Sequence, residues 1–210
     1  AAGTGYAYAG VAAVAEDAST IFFNPAGLTY LPAGRSVSVG GAYLHRSLKY
    51  SDTGTTPMPV INPLNGMPTG AFHPIGNGRG EGGGQSLLPS MFYAQSLSPD
   101  LWVGLGLTVT YGSETEYDPN FAGRFSGHYT SIHQINLNPT LAWRLNDRVS
   151  LGFGLNFAKS DVEFRQTTPF VGAPDGKLSG DDTTWGWNAG LMFQLSPDTR
   201  VGVTYRSTMK

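Results

Sequence analysis

The chain has 210 residues and a formal net charge of −2, which gives no electrostatic reason to expect nucleic acid as a partner. It contains no cysteine, which excludes disulfides, thiolate nucleophiles and cysteine-based metal sites. Only 13% of its residues are charged, against roughly 25% in an average soluble domain. No apolar run reaches the length of about 18 residues that a transmembrane helix needs, so this composition favours a β-barrel in a membrane.

Residues 1–34 lack the alternating pattern that follows them, and they contain the motif Asn24-Pro25-Ala26. Asn is a favoured residue at a helix N-cap, and Pro is tolerated at the first helical position because its missing N–H would have no intrahelical partner. We therefore predict a short helical turn after Asn24. The chain is divided into residues 1–34, which contain no barrel strand, and residues 35–210, which contain the strands.

Seven tracts then alternate apolar with small or polar residues, at about 36–49, 87–97, 101–111, 132–145, 149–164, 184–195 and 200–207. A period of two over about ten residues indicates a strand with one apolar face, of a length that crosses a bilayer. Three connections are tight turns at 98–100, 146–147 and 196–198, whereas those at roughly 50–86, 112–131 and 165–183 are long. Short turns on one rim and long loops on the other predict an all-β fold, a transmembrane antiparallel up-and-down β-barrel.

The two faces of the tracts agree from strand to strand. In the third tract, odd positions from Leu101 to Tyr111 are apolar or aromatic, and even positions are mostly Gly and Thr. A soluble barrel would reverse the faces, but an exterior of Gly, Asn and Thr with few charges protects poorly against association. The membrane barrel is therefore favoured, with Tyr111, Trp143, Trp185 and Tyr205 predicted as interfacial aromatic residues.

Seven strands cannot form a closed antiparallel up-and-down barrel of the usual even-numbered kind. A lone open sheet would leave edge N–H and C=O groups unpaired in hydrocarbon. We therefore expect the chain to be the N-terminal part of a longer barrel.

Three segments resemble the FadL-type outer-membrane transporters, which take up long-chain fatty acids and, in related channels, aromatic hydrocarbons. They are residues 5–26, with the Asn-Pro-Ala motif, residues 141–156, and residues 185–207. The resemblance implies a monomeric barrel of about fourteen strands in a Gram-negative outer membrane, of which seven are present. Residues 1–34 would be a hatch that plugs the lumen, with Asn24, Pro25 and Ala26 as its motif. The partners implied are hydrophobic small molecules and outer-membrane lipid.

The resemblance further implies that substrate passes by diffusion to an inner pocket and leaves sideways through the wall. The opening would lie beside a kink in the third strand at Thr110-Tyr111-Gly112, facing Ser86 to Pro89. Gly112 and Pro89 each weaken a strand ladder; alternatively, Gly112 begins a loop and Pro89 sits at a bulge. A lateral exit suits a fatty acid, because exposing its tail to water costs about 0.8 kcal/mol per CH₂.

The family also places basic residues near the inner pocket to meet the substrate carboxylate, and Arg165 is the nearest candidate. Its parity in the fifth tract puts it on the lipid side, so a solvated loop arginine is the alternative. The first long loop is unusually apolar, which leaves open whether the substrate is a fatty acid or an aromatic hydrocarbon.

Other chemistry has weaker support in the sequence. His128 and His133 are five residues apart, which fits neither one helix face nor one strand face, so we predict no metal and no cofactor. Ser126 with either histidine would suggest an outer-membrane acyl hydrolase, but solvation of a polar loop explains these residues. We predict no enzymatic activity, and a general-diffusion porin remains a third hypothesis.

Overall fold

The computed structural model describes residues 7–210, and most of these residues belong to one antiparallel sheet. Near the N-terminus lie a short helix, α1 (Thr20–Phe23), and a 3₁₀ helix (Pro25–Tyr30). The strands are β1 (Arg35–His45), β2 (Lys49–Ser51), β3 (Pro59–Ile61), β4 (Pro68–Phe72), β5 (Arg79–Glu81), β6 (Gln85–Ser98), β7 (Leu101–Glu116), β8 (Tyr129–Asn146), β9 (Val149–Gln166), β10 (Gly176–Ser196) and β11 (Thr199–Arg206). Neither helix in the described residues is long and apolar enough to cross a membrane.

The main sheet has seven strands in the order β1-β6-β7-β8-β9-β10-β11, and every neighbouring pair is antiparallel. This arrangement confirms the predicted up-and-down topology and its seven strands. The connection from β1 to β6 contains two small sheets, β2 with β5 and β3 with β4, which were predicted only as loop.

The last long loop is shorter than predicted. The loop was expected at 165–183, but β9 continues to Gln166 and β10 begins at Gly176. The β9–β10 ladder runs without a register shift from Phe193↔Val149 to Gly176↔Gln166. Backbone pairing continues through polar positions such as Asp181 and Thr183, where there is no apolar alternation to indicate a strand.

One face of the sheet, here called outward, carries apolar residues that are in register across the strands. Its rows are Val39, Met91, Leu107, Leu137, Phe157 and Trp185; Gln95, Val103, Leu141, Phe153, Ala189 and Tyr205; and Leu101, Trp143, Leu151, Leu191 and Val203. Beyond these rows the outward face becomes polar, since His133, Asp161 and Asp181 pair across the sheet. An apolar band that ends at a polar rim is the surface expected of a membrane barrel.

The prediction that Tyr111 lies on the apolar face of its strand is wrong. A register shift between Val109 and Tyr111 inserts one extra residue, Thr110, into β7. Tyr111 therefore opposes Gln134, whose side chain donates to Ser160 Oγ on the other face. A bulge of this kind reverses the parity of every residue after it. Trp143, Trp185 and Tyr205 remain exposed on the outward face.

The opposite face, here called inward, is covered by residues 7–34, the N-terminal segment. The hydrophobic core lies between the two and is formed by Ala18, Ile21, Leu28, Leu31, Phe92, Ala94, Trp102 and Ala142.

The long loops are also joined to each other: Arg124 is buried, donates to the carbonyls of Pro74 and Ile75, and lies over the Phe125 ring.

Candidate functional site

Asn24 is the point at which the N-terminal segment attaches to the sheet. Its Oδ1 accepts from Ala26 N at 3.1 Å and so caps the 3₁₀ helix, which confirms the predicted turn. Its Nδ2 donates to Ala12 O at 2.6 Å and to Leu191 O on β10 at 3.3 Å. Asn24, Pro25 and Ala26 are all buried, so one side chain both shapes the turn and fixes it to the wall.

Inward-facing glycines allow this close approach. A Cβ added at Gly190 would overlap Asn24 Oδ1, and one at Gly152 would overlap the backbone of Ala26. At Gly202, a Cβ would overlap the carbonyl of Ala12. The glycines of β9, β10 and β11 thus provide the space in which the N-terminal segment packs backbone to backbone.

Buried asparagines connect the strands beneath the segment. Asn156 Oδ1 accepts from Asn136 at 3.2 Å and from Arg206 at 2.8 Å, and Asn156 Nδ2 donates to Asn188 Oδ1 at 2.9 Å. Asn188 in turn donates to Ile21 O. Because a guanidinium can only donate, Asn156 Oδ1 must accept from Arg206. This fixes which amide groups of the network donate and which accept.

Three arginines reach from the sheet to backbone carbonyls of the N-terminal segment. Arg206 donates to Phe22 O at 2.7 Å, Arg200 donates to Ala13 O at 3.2 Å, and Arg144 donates to Thr29 O. Arg206 and Arg200 also stack on the rings of Phe22 and Tyr30. Together with Asn24 and Asn188, these contacts bind the segment to three strands, β8, β10 and β11.

An apolar cavity of about 450 Å³ lies between the N-terminal segment and strands β1, β6 and β7. Its size falls within the range of small-molecule pockets. None of the described residues that line it is charged. The lining includes Phe22 and Phe23 of the segment, Ala42 and Leu44 of β1, Leu88, Pro89 and Phe92 of β6, and Thr108, Val109 and Thr110 of β7.

The wall beside this cavity is interrupted. The β6–β7 ladder extends from Ser98↔Leu101 only to Ser90↔Thr108, although β6 begins at Gln85 and β7 continues to Glu116. Over the same stretch, β6 stays paired with β1 and β7 stays paired with β8. The two strands therefore separate from each other within an otherwise continuous sheet.

The residues predicted at a lateral opening border this interruption. Pro89 directly precedes Ser90, the last residue of β6 that pairs with β7, and supplies no N–H, while Ser86 lies four positions before Ser90. On β7, Thr110 is the bulge, and Tyr111 and Gly112 continue the strand beyond it. Gly112 does not begin a loop, so that alternative is wrong.

Arg165 lies outside the cavity. It remains within β9 on the parity of the outward face, pairs with Tyr129 and Lys177, and stacks on the Tyr129 ring. Its guanidinium forms an ion pair with Glu163 beyond the apolar band. Hydrogen bonds from Lys177 and Arg165 lower the pKa of the Glu163 carboxyl below its usual value. The predicted contact with a substrate carboxylate stays a prediction, and this placement adds no support to it.

The residues considered for hydrolysis do not form a triad. His128 Nε2 lies 3.1 Å from Asp175 Oδ2, and His133 belongs to the outward polar rim. Within residues 7–210, no hydrogen bond joins Ser126 to either histidine, and no group of three or more metal-binding side chains is present.

Sequence reasoning missed most of the residues that surround the cavity. Phe22 and Phe23 were in a segment without periodicity, and Leu88 was one of several apolar residues in its tract. The three arginines carried a signal, because Arg144, Arg200 and Arg206 occupy inward positions in tracts that otherwise carry small polar residues there.

Comparison with known proteins shows which family and which relatives the chain matches. The sequence model of the family described as "Outer membrane protein transport protein (OMPP1/FadL/TodX)" matches residues 1–210. The chain is 28% identical to a "Long-chain fatty acid transport protein" of Escherichia coli O6:H1, over 99% of this chain and 48% of that protein. It is 32% identical to the "47 kDa outer membrane protein" of Pasteurella multocida, over 98% of this chain and 47% of that protein. The chain thus spans about half the length of the curated relatives it matches.

Two solved structures have a similar fold. A Pseudomonas aeruginosa FadL homologue superimposes with a TM-score of 0.68 at 22% identity, covering 92% of this chain and 48% of that one. The P. putida toluene transporter TodX superimposes with a TM-score of 0.64 at 16% identity, covering 90% of this chain and 51% of that one. In both cases, the sheet described above corresponds to about half of the other chain.

Proposed function

The chain belongs to the OMPP1/FadL/TodX family of outer-membrane transport proteins, and on that premise we propose that it forms the N-terminal half of a channel for hydrophobic compounds. The family consists of transport channels rather than enzymes, and its members are located in the bacterial outer membrane. The observation that carries the proposal is the apolar cavity of about 450 Å³ between the N-terminal segment and the interrupted wall.

In this proposal, residues 1–34 act as a hatch. Support comes from residues 7–34, in which Asn24 is buried and bonded to β10, and three arginines hold backbone carbonyls of the segment. Such a segment would block water and polar solutes while it leaves an apolar cavity beside it. The remaining strands would come from a second half, since β1 and β11 are open edges that hydrocarbon does not tolerate.

Substrate would leave through the interruption between β6 and β7 by passive diffusion. The cavity lies against this interruption, because Pro89, Val109 and Thr110 border both. On the far side, the outward face carries Val109 and Ile135 beside the row of Leu107 and Leu137, so a hydrophobic molecule could enter lipid there without crossing water. The outward rows are apolar except for Gln95, and they suit contact with lipid, which is consistent with a monomer.

We propose long-chain fatty acids as the substrate, following the name of the Escherichia coli relative. The cavity would take the alkyl tail, because burying an ionised carboxylate without a charged partner is costly. Thr108 Oγ1 is buried and has no hydrogen-bond partner within residues 7–210, so it could meet a neutral polar group. An uncharged lining suits aromatic hydrocarbons equally well, and they are the second candidate.

Filling the cavity tests this function. Replacing Ala42 with Trp should abolish most uptake of labelled oleate, because Ala42 lines the cavity and an indole would occupy much of it. The assay uses cells that carry the full-length protein as their only channel of this type, with toluene and a trisaccharide as parallel solutes. Wild-type protein should take up oleate or toluene but not the sugar.

The matched control is Val39→Trp on the same strand, whose side chain faces outward and is exposed. Trp is common at membrane surfaces, so this variant should keep wild-type uptake. Uptake by Ala42→Trp at the wild-type rate, with equal amounts of protein in the membrane, would refute the cavity as the route. Free passage of the sugar through the wild type would instead indicate a general porin.

A further inference from the structure

The gap between β6 and β7 is also closed at the end that lies away from the Ser90↔Thr108 pair. Arg46, which directly follows β1, donates to Ser113 Oγ on β7 at 2.6 Å and also to the carbonyl of Glu114. The backbone N–H of Arg46 donates to Gly84 O at 2.9 Å, just before β6 begins. With the Ser90↔Thr108 pair on the other side, the separation between β6 and β7 is a window with two fixed borders rather than an open seam.

The side chain of Leu88 extends into this window. Leu88 lies on the inward parity of β6, together with Phe92 and Ala94, and lines the cavity. Its Cδ2 nevertheless lies 2.5 Å from the position that a Cβ on Gly112 would take, and its Cγ lies 3.9 Å from that position. Leu88 therefore reaches from the cavity across the gap to β7, and Gly112 leaves room for its tip.

The position that a Cβ on Gly112 would take lies on the outward face of the sheet. Gly112 pairs with His133, which belongs to the outward polar rim together with Asp161. A side chain that begins on the inward parity of β6 and ends at an outward position of β7 passes through the wall. No backbone hydrogen bond of the β6–β7 ladder crosses the sheet at this level, so within residues 7–210 side-chain packing closes it.

We propose that Leu88 is the gate of this window and determines the size of the molecules that cross it. The inference rests on the proposed function, because it assumes that substrate leaves the cavity between β6 and β7. Rotation of one exposed or half-buried side chain takes picoseconds to nanoseconds and breaks no backbone hydrogen bond. Arg46 and the Ser90↔Thr108 pair hold the two ends of the window, so the volume of the side chain at position 88 determines the free opening between them.

A reversible cross-link across the window tests the gate. The chain has no cysteine of its own, so Leu88→Cys with Gly112→Cys introduces one pair in this half. The spacing of Leu88 Cγ from the Gly112 Cβ position brings the two sulfurs within reach of a disulfide after a small adjustment. We expect oxidation to abolish oleate or toluene uptake by the full-length protein and dithiothreitol to restore it.

The control pair is Gln95→Cys with Val103→Cys, which oppose each other in the intact part of the same ladder. Oxidising this pair should leave uptake unchanged. Disulfide formation is quantified by mass spectrometry in both proteins. Equal uptake by the oxidised and reduced forms of the window pair would overturn the gate while leaving the proposed function in place. Absence of uptake by wild-type protein would overturn the proposed function and the gate with it.

A second variant does not depend on disulfide formation. Leu88→Ala removes most of the side chain from the window without adding bulk, and it should admit branched or polycyclic hydrocarbons that the wild type takes up slowly. Uptake of the sugar should stay at background, because the N-terminal segment is untouched. An unchanged preference for substrate size in Leu88→Ala would contradict the gate.

Discussion

Replacing Gly190 with Leu is expected to let polar solutes leak through the proposed channel. The glycine lies directly beneath Asn24 and Pro25, and even a Cβ at this position would overlap Asn24 Oδ1. Both sides of the contact are backbone or buried side chain, so neither can move aside without undocking the segment. Overpacking of this kind costs about 1–3 kcal/mol, which increases the undocked population by roughly fivefold to 150-fold.

The measurement is swelling of liposomes that contain the full-length protein, in an iso-osmotic trisaccharide solution. Gly180→Leu is the matched control, because Gly180 lies on the same strand with nothing near the position of its missing Cβ. The control should swell no faster than wild type. If Gly190→Leu protein also excludes the sugar, the N-terminal segment does not act as the barrier.

Replacing Asn156 with Leu is expected to cause the largest loss of stability. The side chain is fully buried and accepts from Asn136 and Arg206 while donating to Asn188. Leucine has the same number of side-chain heavy atoms but leaves all three partners without this contact. Each buried polar group that loses its partner costs about 1–3 kcal/mol, and we expect a total loss of about 3 kcal/mol or more.

Denaturant unfolding of the full-length protein in lipid, monitored by tryptophan fluorescence, measures this loss. Asn120→Leu, in an exposed loop, is the control and should change the free energy of unfolding by less than about 0.5 kcal/mol. If Asn156→Leu also changes the free energy of unfolding by less than about 0.5 kcal/mol, apolar packing can replace the asparagine network. The leak measured for Gly190→Leu should also appear, more weakly, in Asn156→Leu, because Arg206 would lose one of its two anchors.

The strands were predictable because their physics is local. Leu151, Phe153, Leu155 and Phe157 alternate with Gly152, Gly154 and Asn156, and that period alone defines a strand with one lipid face. The turn at Asn24 was predictable for the same reason, since capping acts over two or three residues. Extension of β9 and β10 beyond the apolar band was not, because backbone pairing there has no hydrophobic signature.

The cavity and its window depend on contacts between distant segments. The family resemblance placed Gly112 opposite residues 86–89, but no local pattern indicates that the tip of Leu88 meets Gly112 or that Phe22 forms the opposite wall of the cavity. The family resemblance placed a kink at Thr110-Tyr111-Gly112, but no local pattern indicates the inserted residue, since a bulge changes the register without changing composition. This bulge explains both the misplaced Tyr111 and the point at which β7 leaves β6.

The most direct test of a hydrophobic-compound channel is the location of a bound substrate. Crystals of the full-length protein soaked with a fatty acid brominated near its tail would give an anomalous signal at each bromine. We expect a peak in the cavity bordered by Phe22, Leu88 and Thr108, and its loss in Ala42→Trp. Bromine peaks confined to the outward apolar face, with none in the cavity of well-ordered protein, would contradict the proposed route.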